Sequence, residues 1–512
     1  MPVTPTYPGI YIEELPSNAR TITAAPTSIT VFVGYTHPFK TKNFNTAVQI
    51  FNFTEYENEF GGLFRSGLVR SDVADAVNQF FLNGGSVAYV VGLNPDIAPS
   101  KQSIGGIDFT AKELTDQIPM QVTITNVKSN GEEGSSDGSG VTADVVITYG
   151  LQSETYRGVS SDASSDDYIE NRIGTENNPV SSLVAVSAPD VGYSFQETPA
   201  TTVLPSTGSA VFKINDFVDV FKLDSSLDKV PIFNLLVIPG VADTGIWSAA
   251  LAFCERKQAF LILDSSHEAI ATPNNNEPPE SSRWIGAVMD TKVPKSQNGA
   301  IYFPYLRSTD PLTGNPIALP PSGFVAGIYA RTDLNRGVWK APAGLETTIL
   351  GTTGVVESGR MTDQRQGTLN PKGINCLRSF PGVGTVVYGA RTLVAENTAL
   401  QQWKYVPVRR MMLFITQTLY RNLGWVVFEP NDEPLWAAIR TSIEGFMLSL
   451  FTQGAFQGST PSQAFQVKCD KSTTTQTDID NGIVNIIVAF APLKPAEFVI
   501  VKIAQLAGQV QS

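Results

Sequence analysis

The chain has 512 residues and a net charge of −12, with charged residues at 16% and apolar residues at 42%, where an average soluble domain is about 25% charged. Apolar content of that order over this length excludes disorder throughout, and no run of about 18 uncharged apolar residues is present to cross a membrane as a helix. Two histidines and three cysteines (Cys254, Cys376, Cys469) leave little for imidazole catalysis, metal chelation or a disulfide framework. Composition therefore points away from an enzyme, calls for no cofactor, and suits a reducing compartment.

The first segment, 1–26, carries Pro2, Pro5, Pro8, Pro16 and Pro26 around the short β-like run Ile10, Tyr11, Ile12, and reads as an extended arm. The opening MPVTPTYPGIYIEE has neither a basic region nor an apolar one, so export through a signal peptide is not expected. An alternating strand is predicted over 28–34. A helix is predicted over 72–83, with Val73, Ala76, Val77, Phe80 and Phe81 on one face and Gly84-Gly85 as its stop. The run 87–93 then reads as a buried strand.

From about 100 to 205 the texture turns to Gly, Ser, Asp and Thr. Two strand-like runs, 121–127 and 141–149, flank a polar tip, which predicts a hairpin-built insertion. This stretch is acidic: between Lys128 and Glu176 ten carboxylates face only Lys128, Arg157 and Arg172. From 230 onward apolar strands (232–239, 259–264, 284–289) alternate with a helix bearing Trp247, Ala250, Leu251 and Cys254, the order of an α/β layer. Helices are predicted near 408–423 and 434–452, the second announced by Asn431-Asp432 and Pro434. Strands are predicted again over 463–469, 482–490 and 497–503. Between Arg360 and Phe428 nine cations face only Asp363 and Glu396, so the chain has one acidic and one basic lobe. These charges either present different signs to two environments or pair within the fold.

Chemical motifs are scarce. No Gly-Lys dipeptide occurs, so a phosphate-cradling Walker loop is absent. Gly134-Ser-Ser-Asp-Gly138 matches a nucleophile elbow in spelling, but a strand-like run follows where the elbow needs a helix, and a hairpin tip explains it better. His267-Glu268 has no second histidine in helical register. The basic stretch is woven with apolar helix residues in an acidic chain, which argues against nucleic acid as a direct partner.

The two ends are the informative part. A single strand at 10–12 leaves its ladder groups unpaired, and the terminal run Phe498, Val499, Ile500, Val501 is apolar on both faces. Either both termini pair within their own chain, or each adds a strand to the sheet of another copy, which gives ring or helical assembly.

At this point the residues carry a resemblance. YPGIYI (7–12), TSITVFVG (27–34), FGG (60–62), QFFLNGG (79–85), PPSGFVAG (320–327), ARTD (330–333), GVWKAP (337–342), LNPKGIN (369–375), GARTL (389–393), WKY (403–405), VRR (408–410), VFEPND (427–432) and PAEF (495–498) are similar to contractile tail sheath proteins, in the family's order. The resemblance spans roughly 1–95 and 230–505, and leaves out the acidic stretch, as variable outward insertions do.

The resemblance implies a mixed α/β fold, with a sheath core from N- and C-terminal parts, a β-rich inserted outer domain and extended terminal arms. It divides the chain into an N-terminal arm (1–26), core (27–98), outer insertion (99–229), α/β sheath domain (230–344), inner-wall domain (345–491) and C-terminal arm (492–512). It implies a non-enzymatic subunit made in the bacterial cytoplasm and built into a phage tail or tail-like injection particle. Partners would be further copies in stacked hexameric rings, an inner tube, and baseplate and terminal cap proteins, with neither direct nucleic-acid contact nor membrane insertion.

Carried onto this sequence, the donated strands are Ile10–Ile12 and Phe498–Val501, extending toward Ile503. Acceptor residues are Phe465, Val467, Val484, Ile486 and Val488. Pro16–Pro26 and Pro492–Pro495 are expected hinges. Lys404, Arg409, Arg410 and Arg421 face an acidic tube, or else the two adjacent arginines, Arg409 and Arg410, form ion pairs inside their own domain. A surface lattice or an α/β enzyme are the competing classes; cylinders, sheets and discrete particles in the electron microscope would separate the three.

Overall fold

The computed structural model describes residues 20–129, 140–189, 193–208, 211–265, 293–356 and 360–502. They fall into two compact units, the larger from Thr27–Arg331 and Pro342–Gln401, the smaller from 20–26, Thr332–Ala341 and 402–502.

The larger unit is organised on an eight-stranded sheet. Its spatial order is Gly384–Val387, Ile374–Phe380, Gly299–Phe303, Phe260–Asp264, Leu235–Val237, Thr30–Tyr35, Ala88–Leu93, Ala47–Ile50. All inner pairs are parallel and only the two outermost strands run antiparallel. The strand predicted over 28–34 is not half-exposed as its alternation implied: every residue of Thr30–Tyr35 is buried, because helices cover both faces of a parallel sheet. Val31, Val33, Leu236, Leu261 and Ile301 join Trp247, Leu251 and Cys254 of the helix Thr244–Lys257 in one core. Toward the other face, Phe32 meets Phe80 of the helix Asp72–Leu82, while Phe260 and Tyr302 meet Tyr329 of the helix Ser322–Arg336. Those two helices touch backbone to backbone. A Cβ at Gly323 would lie 2.5 Å from the Ala76 Cα, and one at Gly327 2.7 Å from the Phe80 carbonyl oxygen.

Mixed α/β is thus the observed class, and the sheet is closed by strands from both sides of an insertion. Between Leu93 and Leu235 the chain builds a four-stranded antiparallel sheet (Thr198–Thr202, Met120–Ser129, Val141–Tyr149, Gln152–Ser160) and a three-stranded one (Lys101–Ile104, Ile107–Ala111, Val184–Ser187) over a shared core. The tip of the predicted hairpin, with Gly134–Gly138, lies outside the described residues, as does the strand expected over 284–289. Polar contacts made by Glu113 and Asp116 fasten the insertion. Glu113 accepts from His37 Nε2 (2.8 Å) and from Lys40, and burial holds the His37 imidazole below its ordinary pKa. Asp116 accepts from the Gly67 amide at 2.6 Å.

The smaller unit pairs the helices Val406–Asn422 and Glu433–Thr452 with a two-stranded antiparallel sheet, Phe465–Lys468 against Ile487–Phe490. The second helix starts as its sequence announces, with Asp432 capping and Pro434 in the first turn. Trp436, Ile439, Ile443 and Met447 from it meet Met411 and Ile415 in the core.

Candidate assembly interface

The expected acceptor residues divide. Phe465, Val467 and Val488 stand in the ladder, in the register Phe465 to Phe490 and Val467 to Val488. Val484 and Ile486 precede the second strand, which begins at Ile487 and is shorter than the predicted 482–490. The helix Gln476–Asp480 interrupts the approach. Its capping box, closed by Thr475 and Asp478, uses the Thr475 hydroxyl to hold the Asp478 carboxyl below its usual range. Among the described residues no third strand pairs with either outer edge of this sheet. Two strands alone are marginal, and open edges are templates for a further strand.

Next to this open sheet lies an uncovered apolar segment. Ala491 and Pro492 still pair with Gln457 and Phe456, and Tyr405 donates its hydroxyl to Glu497 Oε2 at 3.1 Å. Beyond Glu497, Phe498, Val499, Ile500 and Val501 are 72%, 83%, 83% and 75% exposed and belong to no strand. Burying one such side chain is worth about 1.5–3 kcal/mol, so this tetrapeptide holds a large unused driving force for association. The N-terminal counterpart, Ile10, Tyr11 and Ile12, lies outside the described residues.

The four cations take separate positions. Arg410 is buried and ion-paired with Asp333 at 2.6 Å; Arg409 is buried with its guanidinium 5.1 Å from the centre of the Trp403 ring. Lys404 is half-buried over the Tyr405 ring, and Arg421 is exposed in the last turn of its helix. Adjacent arginines in a sequence do not disclose that the whole first turn and a half, Val406 to Met411, is buried.

Sequence reading missed three further residues. Asp333, Arg410's partner, lies 77 positions away. Asn422 clasps Thr23 from the end of its helix. Phe428 is fully exposed and holds a left-handed φ of 69°.

Among the described residues no cluster of three His, Cys, Asp or Glu is arranged to hold a metal, and no helix is long and apolar enough to cross a membrane. A recess lined by Ile118, Tyr149, Leu151 and Leu312 has a volume of about 50 Å³, room for a few waters.

The phage tail sheath protein central domain matches residues 223–393, and the phage tail sheath C-terminal domain matches residues 398–505. The chain belongs to the contractile tail sheath family. A putative prophage major tail sheath protein of Pseudomonas aeruginosa is 25% identical to this sheath protein over 284 residues, covering 54% of the chain and 66% of the relative. The matched segments span between 25% and 66% of the curated relatives' own lengths. Solved structures match over nearly the whole chain. A chain of the anti-feeding prophage baseplate is 25% identical with a TM-score of 0.58, covering 98% of this chain and 99% of its own. The PVC sheath complex in its contracted state, an extracellular contractile injection system, shares the fold at 22% identity and a TM-score of 0.59, covering 98% of each chain.

Proposed function

We propose that this chain is a structural subunit whose copies stack as hexameric rings around an inner tube, exchange terminal strands, and contract to drive the tube through a target cell envelope. Phe498–Val501 of one copy, and Ile10–Ile12 of another, would complete the sheet of Phe465–Lys468 and Ile487–Phe490. The observation that carries this reading is the presence, in one chain, of four exposed apolar residues and a two-stranded sheet that takes up no third strand among the described residues. Each added ladder bond contributes about 0.5–1.5 kcal/mol. That bonding is indifferent to rotation of the subunit provided the flanking segments bend. Work stored during assembly would need no nucleotide.

Baseplate and cap proteins would bound the cylinder, in a particle made in the bacterial cytoplasm. Arg421, with Lys404, is the proposed contact to the tube. Arg409 and Arg410, being buried, take no part in it. Such exposed pairs contribute about 0–1 kcal/mol each, weak enough to break on contraction.

Electron microscopy of the purified chain tests the proposal. Hollow cylinders are expected, and Val499→Asp with Val501→Asp should leave folded, unassembled subunits. Flat sheets would favour a lattice protein, and cylinders that persist in the double variant would remove Phe498–Val501 from the contact. Arg421→Glu should lower co-assembly with the tube and spare tube-free cylinders; unchanged co-assembly rejects that contact.

A further inference from the structure

Both terminal arms are rooted at opposite ends of one helix. At its C-terminal end the Asn422 side chain grips both backbone groups of Thr23: Oδ1 accepts from the Thr23 amide at 3.0 Å, and Nδ2 donates to the Thr23 carbonyl at 2.9 Å. A carboxamide used this way imitates a neighbouring strand. One turn back, the Thr418 hydroxyl accepts from the Ala25 amide at 3.1 Å, Ile22 packs against the unit's core, and the Arg20 guanidinium lies 4.8 Å from the centre of the Trp425 ring. At the N-cap, Tyr405 holds Glu497, the last anchored residue before the exposed tetrapeptide.

The helix between these points has 17 residues, which at about 1.5 Å per residue separates the two roots by roughly 25 Å. Its length is stiff because Val406, Val408, Met411, Phe414 and Ile415 are all buried.

We propose that the Val406–Asn422 helix is a spacer that fixes the separation of the two points at which the arms leave the subunit, with Asn422 and Tyr405 as the positioning residues where they are rooted. This rests on the strand-donation reading and adds a constraint to it. Asn422, Thr418 and the Trp425 ring hold Arg20, Thr23 and Ala25 in place, so bending in the expected hinge Pro16–Pro26 does not extend into that stretch. Bending on the other side is confined to residues after Glu497. The two roots, sharing one baseline, move as a pair when the subunit turns.

Residue-resolved hydrogen exchange on the full chain, free and assembled, tests this together with the helical parameters of the cylinders. Thr23 and Ala25 amides are expected to exchange slowly in both states. Asn422→Leu, which keeps the shape and loses both bonds, should speed Thr23 exchange at least about tenfold and broaden the spread of helical twist. Asn422→Asp keeps only the bond from the Thr23 amide and should fall between. Tyr405→Phe should speed exchange just before Phe498. If Asn422→Leu unfolds the unit, Thr23→Pro removes the same amide bond from the arm's side. Freely exchanging Thr23 in the wild-type cylinder, with Phe498–Val501 protected, overturns the spacer alone, as does an unchanged spread of twist in Asn422→Leu. Unprotected Phe498–Val501 in the cylinder overturns strand donation and the spacer with it.

Discussion

The guanidinium of Arg410 forks onto the carboxylate of Asp333, Nη1 to Oδ1 at 2.8 Å and Nη2 to Oδ2 at 2.6 Å, with both side chains 3% exposed. A pair this dry is held by geometry, since each charge would be costly alone. Arg410→Met orphans Asp333 and should cost about 3–5 kcal/mol, read from the urea midpoint of the unassembled subunit. Arg410→Lys should rescue little, because an ammonium cannot reproduce the planar fork. Adding Asp333→Leu to Arg410→Met should recover much of the loss.

A second prediction concerns pH. Asp264, wholly buried at the end of its strand, accepts from the Ser322 amide (2.7 Å) and hydroxyl (2.6 Å) and from the Gly240 amide (2.9 Å). Burial outweighs these donors and pushes its carboxyl up to about 7, with the nearby Asp72 acting in the same direction. A pKa higher in the folded than in the unfolded chain means the native state binds the extra proton. The associated stability is complete below the unfolded value near 4 and is lost as pH rises through about 7. The difference in unfolding free energy between wild type and Asp264→Asn should therefore fall across that window and level off above it. A flat difference from pH 4 to 8 would contradict the assignment.

Close helix contact gives a third. Gly323→Ala and Gly327→Ala each drive a methyl into backbone atoms of the Asp72–Leu82 helix, where neither side can yield without moving. Each should cost about 1–3 kcal/mol, seen as a lowered melting temperature, while Gly367→Ala, with open space around its Cβ, should not.

Phe428 supplies a fourth. An aromatic residue in left-handed backbone is strained by about 1–2 kcal/mol, and its ring is fully exposed. Phe428→Gly should thus stabilise the isolated subunit by about 1 kcal/mol, measured by urea denaturation. Loss of stability would mean the ring is covered in solution.

Much of this fold is legible locally. The 72–83 helix declares itself by its apolar face and double-glycine stop, and the 434–452 helix by its acidic cap and early proline. What is not legible depends on partners far along the chain. Arg410 reads as a surface cation until Asp333 is beside it, and Thr30–Tyr35 reads as one-sided until the Asp72–Leu82 helix covers its Phe32 face and the core shared with the Thr244–Lys257 helix covers the other. The apolar terminus was visible as a run of residues wanting neighbours. Its exposure in the folded chain, and the rooting of both arms on one helix, depend on where Glu497 and Thr23 lie in the fold.

The insertion inside the main sheet has a consequence for biosynthesis. Thr30 pairs with Leu235, so the central strand waits on one flank while some two hundred residues are translated, about 10–40 s at 5–20 residues per second. Hairpins of the inserted lobe can close within that delay. The main sheet is therefore finished only once Gly384–Val387, its last strand in chain order, has been made.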